Sequence, residues 1–297
     1  MSTVHMPVML REVLDGLQLR PGQTIVDGTA GGGGHSAEIL KQIGETGRLI
    51  AVDRDATMLA RAAEKLNDPR AILKRGSYIT LRDILNELSI DRVDAILVDL
   101  GYSSDQIADV ERGFSFSSSG PLDMRFHVEE GEPVWQILKT IDQAGLEQIL
   151  TEYGEERFAR QISAAIIAVR KHPEPMTAVE LTSLIEQVYK QAGVHSSGSN
   201  IATQTFQALR IYANAELKHV EQLLTSTAPD CLKVGGRMVV ITFHSLEDRL
   251  VKQCFKKKQL WQEATKKPIE PRPTEVRFNP RSRSAKIRIA TYQPSSS

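Results

Sequence analysis

Thr24-Ile25-Val26-Asp27-Gly28-Thr29-Ala30-Gly31-Gly32-Gly33-Gly34-His35-Ser36 organises the chain. A short apolar run ends in a carboxylate, a loop with five glycines follows, and Ser36 opens a segment with helical spacing at Ile39, Leu40 and Ile43. This is strand, tight turn, helix. Glycine is needed where the backbone reverses with positive φ, or where it must approach a ligand with no Cβ in the way. The N–H groups at the start of the helix then face that ligand, as they do around nucleotide-like cofactors. Leu49-Ile50-Ala51-Val52 leads to a second acidic strand end, Asp53, well placed to accept hydrogen bonds from ribose hydroxyls. A merely flexible glycine turn is the plainer reading. The apolar strand before it, the helix after it and the second acid-ended strand favour a cofactor site.

The flanking segments repeat the alternation. Residues 1–23 carry a helical pattern at Val13, Leu14 and Leu17 and read as a lid or lead-in. Strands are expected at residues 24–27, 48–53, 71–74 and 93–99, with helices from Ser36 to about Ile43, over 56–66 and over 81–88. The strands lack polar alternation, which points to a parallel sheet covered on both faces. From Val134 to about Ala228 only helices are expected, best marked at 155–170, at 177–192 with Thr177 and Glu180 as a capping box, and at 203–228. The sheet resumes at 237–242, a helix runs from there to about Lys258, and a last strand covers 285–290. The class is therefore α/β with an inserted helical domain. The boundaries are 1–104 with 217–297 for the sheet domain and 105–216 for the insert.

The 297 residues, 41% hydrophobic, suffice for one large domain or two smaller ones. No apolar run approaches the roughly 20 residues of a membrane span and the N-terminus lacks a signal pattern, so a cytoplasmic protein with no membrane partner is expected. Cys231 and Cys254 fit a reducing compartment and suit neither a zinc site nor a disulfide framework, and the seven histidines show no metal-ligand spacing. Net charge is zero, with 37 basic and 37 acidic residues. Residues 249–288 nonetheless hold 13 Lys or Arg against three acids, a solvated face or a phosphate-binding one.

Asp99-Leu100-Gly101-Tyr102 closes the fourth strand on the same sheet edge as the glycine loop, where open parallel sheets bind ligands. An acid, a tight turn and an aromatic suit methylation of an exocyclic amine. The amine lone pair is delocalised into the ring, so an acceptor must bind its N–H and stabilise charge as the methyl arrives, while the aromatic stacks on the base. A plainer reading makes Asp99 a helix cap and Tyr102 a core aromatic. His244-Ser245 reads as a capping turn or a substrate contact, and Cys231 as a packed thiol rather than the nucleophile of C5-cytosine methylation. Phe114, Phe116 and Phe126 read as core or as stacking groups for a splayed base.

These motifs come in a family order. Residues 27–36, Val52-Asp53-Arg54-Asp55, residues 99–104, Arg112-Gly113-Phe114-Ser115-Phe116, residues 120–125, Tyr153-Gly154-Glu155-Glu156-Arg157, residues 205–211, 243–249 and 279–286 together resemble the MraW family, the bacterial small-subunit ribosomal RNA methyltransferases H. The resemblance covers nearly the whole chain. It implies a class I methyltransferase fold dependent on S-adenosyl-L-methionine (AdoMet), Rossmann-like, with an inserted helical substrate-recognition domain. The implied reaction is methylation of N4 of a cytidine, cytosine 1402, in the decoding region of 16S rRNA. The implied partner is 16S rRNA or the small ribosomal subunit, and a homodimer is left open. Carried over residue by residue, Asp27, Gly33, Gly34 and His35 line AdoMet, Asp53 holds its ribose, Tyr78 stacks near its adenine, and Asp99 and Gln106 complete the pocket. Asp99 and Tyr102 are the catalytic pair, and no metal is implied. Asp99-Leu100-Gly101-Tyr102 looks like a variant of the Asp/Ser-Pro-Pro-Tyr motif of amino-methyltransferases. The chain departs from the family at residues 200–204, Asn-Ile-Ala-Thr-Gln where His-Pro-Ala-Thr-Arg is usual, at Ser77-Tyr78 in place of Asn-Phe, and at Thr242 in place of Ser.

Two other classes stay in view. A dinucleotide oxidoreductase would want Gly-x-Gly-x-x-Gly, an order these glycines do not keep, and has no role for residues 99–102. A non-catalytic assembly factor binding RNA and AdoMet has only the altered residues 200–204 in its favour.

Overall fold

The structure is a computed structural model that describes residues 6–101, 107, 109–194 and 201–295. It divides into two compact units, one of residues 1–101 with 217–297 and one of residues 102–216. Among the described residues no helix is long and apolar enough to cross a membrane.

The first unit is a seven-stranded sheet built from β1 Thr24–Asp27, β2 Arg48–Asp53, β3 Ala71–Arg75, β4 Val93–Asp99, β5 Leu232–Thr242, β6 Trp261–Glu263 and β7 Lys286–Tyr292. The strand order is β3-β2-β1-β4-β5-β7-β6. The first five strands run parallel, and β7 lies antiparallel to both β5 and β6. The chain builds outward from β1 through β2 to β3 and then returns to β4 on the other side of β1. This reversal opens a crevice at the carboxyl ends of β1 and β4, where open α/β sheets bind their ligands.

Alternate residues of each strand feed the two faces, as the pleat requires. Val26, Ile50, Val52, Ile96, Val98, Met238 and Val240 pack on one side with Leu81, Ile84 and Leu85 of the helix Leu81–Glu87 and with Val251 and Phe255 of the helix Ser245–Phe255. Ile25, Leu49, Leu97, Val239 and Ile241 pack on the other, with Val13 and Leu17 of α1 (Leu10–Leu17) and Ile39 and Leu40 of α2 (Gly34–Gln42). The lead-in segment is thus part of the core. A Cβ on Gly16 would stand 2.8 Å from Ile289 Cδ1, so α1 sits directly on β7.

Several boundaries differ from the sequence expectation for local reasons. β5 starts at Leu232 rather than residue 237, because residues 233–236 bulge opposite Asp94, with Gly235 at φ +83°. β6 is three residues long, too short to carry a period. The second unit holds the helices Val134–Thr140, Gln143–Gly154, Ala159–Val169, Ala178–Gln191 and Thr203–Ala213 around one core that includes Leu146, Ile149, Ile162, Leu181, Ile185, Phe206 and Leu209. The helix expected from residue 155 begins at Ala159, since Glu155 is the left-handed residue (φ +50°) that ends the preceding helix. The run expected over 203–228 breaks after Ala213, with Ala215 at φ +48°. Thr177 and Glu180 form both bonds of the capping box before Ala178–Gln191.

Candidate functional site

Four neighbouring strands end in polar residues on one sheet edge: Asp53 on β2, Asp27 on β1, Asp99 on β4 and Thr242 on β5. The glycine turn after β1 is pinned to the strands on both sides. Gly28 N–H donates to the Leu97 carbonyl (2.8 Å), Ala30 N–H to that of Val52 (2.9 Å), and Gly31 N–H to Asp53 Oδ2 (2.8 Å). Gly33 ends the turn at φ +76° and caps α2, where a Cβ would stand 3.3 Å from the Ala62 backbone. Both features favour glycine, since a side chain there would be strained. At Gly28 a Cβ would lie 3.1 Å from Tyr78 Cβ, so the missing side chain lets Tyr78 close on the turn. Tyr78 itself opens a short 3₁₀ turn, Tyr78–Thr80, capped by the Ser77 hydroxyl, which accepts from Ile79 N–H.

Asp27 is 1% exposed. Its Oδ2 accepts from Ser36 Oγ (2.6 Å) and its Oδ1 from Thr29 N–H (3.2 Å), so the carboxylate ties the start of α2 to the turn. Burial raises its pKa against the counteracting His35 and these two hydrogen bonds. Asp53 accepts from the N–H groups of Gly31 and, at 2.9 Å, Asp55, and desolvation still pushes it up to about 6.

Asp99 is the exception among these acids. Its backbone N–H donates to Thr29 Oγ1 (2.7 Å), but its buried Oδ1 has no hydrogen-bond partner among the described residues. Buried polar atoms are almost always paired, so an orphan at a sheet edge marks a place where a ligand is due. Burial pushes the Asp99 carboxyl up to about 6, against the attraction of His35 and Arg281 and with repulsion from Asp27 and Glu247. His35, on the first turn of α2, lies 3.8 Å from Asp99 through Nδ1 and 2.9 Å from the Val8 carbonyl through Nε2.

The sequence-predicted residues Asp27, Gly33, Gly34, His35, Asp53, Tyr78 and Asp99 thus lie along one edge, while Tyr102 and Gln106 fall outside the described residues. Thr29, Ser36 and the Val8 carbonyl complete the arrangement. The first two stand inside the opening motif, but no local signal links Val8 to His35 across 27 positions. His244 is the N-cap of Ser245–Phe255, with Nδ1 accepting from Glu247 N–H (3.4 Å) and Glu247 Oε2 accepting from Phe243 N–H (2.8 Å). This is the capping reading. Cys231 is fully buried beside Leu232, at the opposite end of β5 from Thr242, and burial pushes its thiol up to about 11. Leu232 pairs with Val93, six residues of strand and about 20 Å from Asp99, so Cys231 packs and cannot attack at this edge. Phe114 is buried and stacked on Phe126 (5.8 Å), and Phe116 meets Phe206 edge-on (4.8 Å), so all three serve the insert core.

Glu156 holds the insert together. Its carboxylate, 5% exposed, accepts from Tyr189 OH (2.8 Å), Thr205 Oγ1 (3.0 Å) and Phe158 N–H (3.1 Å), joining three helical segments. Arg210 and Glu216 form a buried two-point ion pair at 2.8 and 3.0 Å.

Residues 2–293 match the model of the MraW methylase family. The ribosomal RNA small subunit methyltransferase H of Nitrosospira multiformis is 41% identical over 310 residues, covering 96% of each chain. That of Methylibium petroleiphilum is 42% identical, covering 96% of this chain and 94% of its own. Among solved structures, an rRNA methylase from Streptococcus thermophilus is 10% identical with a TM-score of 0.43, covering 98% of this chain and 99% of that one. With a match that runs from the residues before the glycine turn to those after the last strand, the chain belongs to the MraW methylase family.

Proposed function

We propose that this methylase transfers a methyl group to N4 of a cytidine in the decoding region of 16S rRNA, cytosine 1402, with the insert recognising the RNA. The observation that carries the reading is the buried, unpartnered Oδ1 of Asp99 at the end of β4. It is an acceptor in need of a donor, in the crevice where the sheet changes direction. The names of the relatives, all small-subunit ribosomal RNA methyltransferases, support the substrate class.

The cofactor is S-adenosylmethionine. The residues present fit it. Asp53 keeps acceptor capacity for ribose hydroxyls, the glycine turn has a shape at Gly33 that glycine adopts without strain, and Tyr78 offers an aromatic face beside Gly28. Gly34 and His35 present the first N–H groups of α2, which a helix cannot satisfy internally. Asp27 acts through the turn it ties down. When bound, the cofactor supplies a methyl group on a positively charged sulfur.

The chain's own residues do the rest. A cytosine amine is a poor nucleophile because its lone pair is shared with the ring, and the base is out of reach while stacked. An ionised Asp99 accepts one amine N–H, fixes the lone pair in line and offsets the positive charge that develops on nitrogen. Tyr102 follows within three residues and is assigned to stacking on the extruded base. After transfer the nitrogen loses its extra proton to Asp99 or to water. The exposed cations Arg249, Lys252, Lys256, Lys257, Lys258, Lys266 and Lys267 are assigned to rRNA phosphates, and the setting to the cytoplasm.

Mass spectrometry of 16S rRNA from cells with and without the gene tests the reading. N4-methylation of one decoding-region cytidine should vanish and return with the wild-type protein but not with Asp99→Ala. Unchanged rRNA would refute the target. Rescue of modification by Asp99→Ala would refute the catalytic assignment.

A further inference from the structure

The short helix Pro273–Phe278 ends in a phenylalanine that leaves 74% of its surface in water. Single exposed apolar residues are ordinary on proteins. Phe278 differs in how firmly its backbone is held. The next residue, Asn279, is buried; its N–H donates to the Glu275 carbonyl (2.7 Å) and its side-chain amide to the Met6 carbonyl (3.3 Å). Glu275 Oε1 in turn accepts from Met9 N–H (3.2 Å). Between these two anchors, Pro7 lies against Gly34 and the Val8 carbonyl meets His35. One run of contacts therefore joins the glycine turn to the base of Phe278.

The surroundings have a sign. Arg277 places its guanidinium 5.9 Å from the Phe278 ring centre, and Arg272, Arg281 and Arg283 are exposed on the same short stretch. Arg272 also pairs with Glu12 at 3.3 Å. The stretch leads directly into β7, whose first residue, Lys286, pairs with Thr242 at the carboxyl end of β5. Arg281 is close enough to be felt by Asp99. The stretch that carries the exposed ring thus leads to the sheet edge where the orphan carboxylate lies.

We propose that Phe278 is a stacking platform for an unpaired nucleotide of the RNA substrate, with the arginines around it on the adjoining phosphates. An anchored aromatic among guanidinium groups suits single-stranded RNA, because every unstacked base has a π-face and its backbone carries the complementary charge. A duplex keeps its bases stacked on one another and would use only the arginines. This inference rests on the rRNA reading above and adds the second point at which the strand is gripped.

The test is fluorescence anisotropy of a short, unstructured RNA oligonucleotide with the full-length protein, its Phe278→Ala variant and its Phe278→Trp variant. The platform predicts a loss of about 5- to 100-fold in affinity with Ala. It also predicts affinity retained with Trp, with the tryptophan emission quenched by RNA. Equal affinity for Phe278→Ala, or the same loss toward duplex RNA of equal length, overturns it, as does binding of anionic phospholipid vesicles that depends on Phe278. Thermal unfolding of Phe278→Ala should match wild type, since the ring packs on little. The two readings fail separately: oligonucleotide binding that depends on Phe278 with unmodified rRNA sinks the target alone, and methylated rRNA with no such dependence sinks the platform alone.

Discussion

His35 Nδ1 lies 3.8 Å from Asp99 Oδ2, while the other ring nitrogen of His35 is held at 2.9 Å by the Val8 carbonyl. A carbonyl can only accept, so Nε2 carries a proton and Nδ1 is the atom turned toward the carboxylate. His35 attracts the Asp99 carboxylate against the cost of burying it, so the ionisation of Asp99 is tied to the N-terminal segment that positions the ring.

In the proposed reaction Asp99 must be ionised to accept the amine N–H, and burial pushes its pKa up to about 6. The methylation rate should therefore fall roughly tenfold per pH unit below about 6 and level off above it. Asp99→Asn should abolish that limb and lower the plateau by about 10²- to 10³-fold, the scale of losing one preorganised transition-state contact. A single-turnover pH–rate profile on small ribosomal subunits checks both. A wild-type profile flat down to pH 5 would remove Asp99 from the reaction.

The same shift has a stability consequence of opposite sign. A carboxyl whose folded pKa is raised binds its proton more tightly in the folded state, so its favourable contribution is present at low pH and is lost as pH rises through about 6. Asp99→Asn should stabilise the cofactor-free protein at pH 7.5 by about 2 kcal/mol. The gap should narrow between about pH 6 and pH 4. Urea unfolding at several pH values measures it, and a variant less stable than wild type at pH 7.5 would contradict the assignment.

Glu156→Ala should destabilise the insert. The substitution strands the Tyr189 hydroxyl, the Thr205 hydroxyl and the Phe158 N–H in a buried site. The cost of such orphaned donors is about 3 kcal/mol or more. The midpoint of chemical unfolding should drop, and Glu156→Gln, which keeps one acceptor, should fall between the two.

Cys231 should be inert. It is fully buried, with its thiol pushed up to about 11, so iodoacetamide at pH 8 should leave it unmodified in the folded protein and alkylate it in urea. Cys231→Ala should retain methylation. Loss of activity in a folded Cys231→Ala protein would reopen nucleophilic attack at C5.

The sequence determined the layered α/β plan, because continuous apolar runs such as Ile25-Val26 and Ala95-Ile96-Leu97-Val98 can be buried only in a sheet covered on both faces. It also determined the glycine turn and the two acids that flank it, since positive φ and an acid-ended strand are local properties of the chain. It was poorest where a local pattern had no length to develop, at the three residues of β6, or was cut by an unsignalled left-handed residue, at Glu155 and Ala215. Only the tertiary structure decided which carboxylate is spent and which is left over. Asp27, Asp53 and Asp99 all end strands in the sequence. The folded turn brings Ser36 of α2 to Asp27 and the Gly31 N–H to Asp53, and leaves Asp99 Oδ1 with no partner among the described residues. Burial and hydrogen-bond supply depend on neighbours many residues away, and that is where the chemistry of this edge is set.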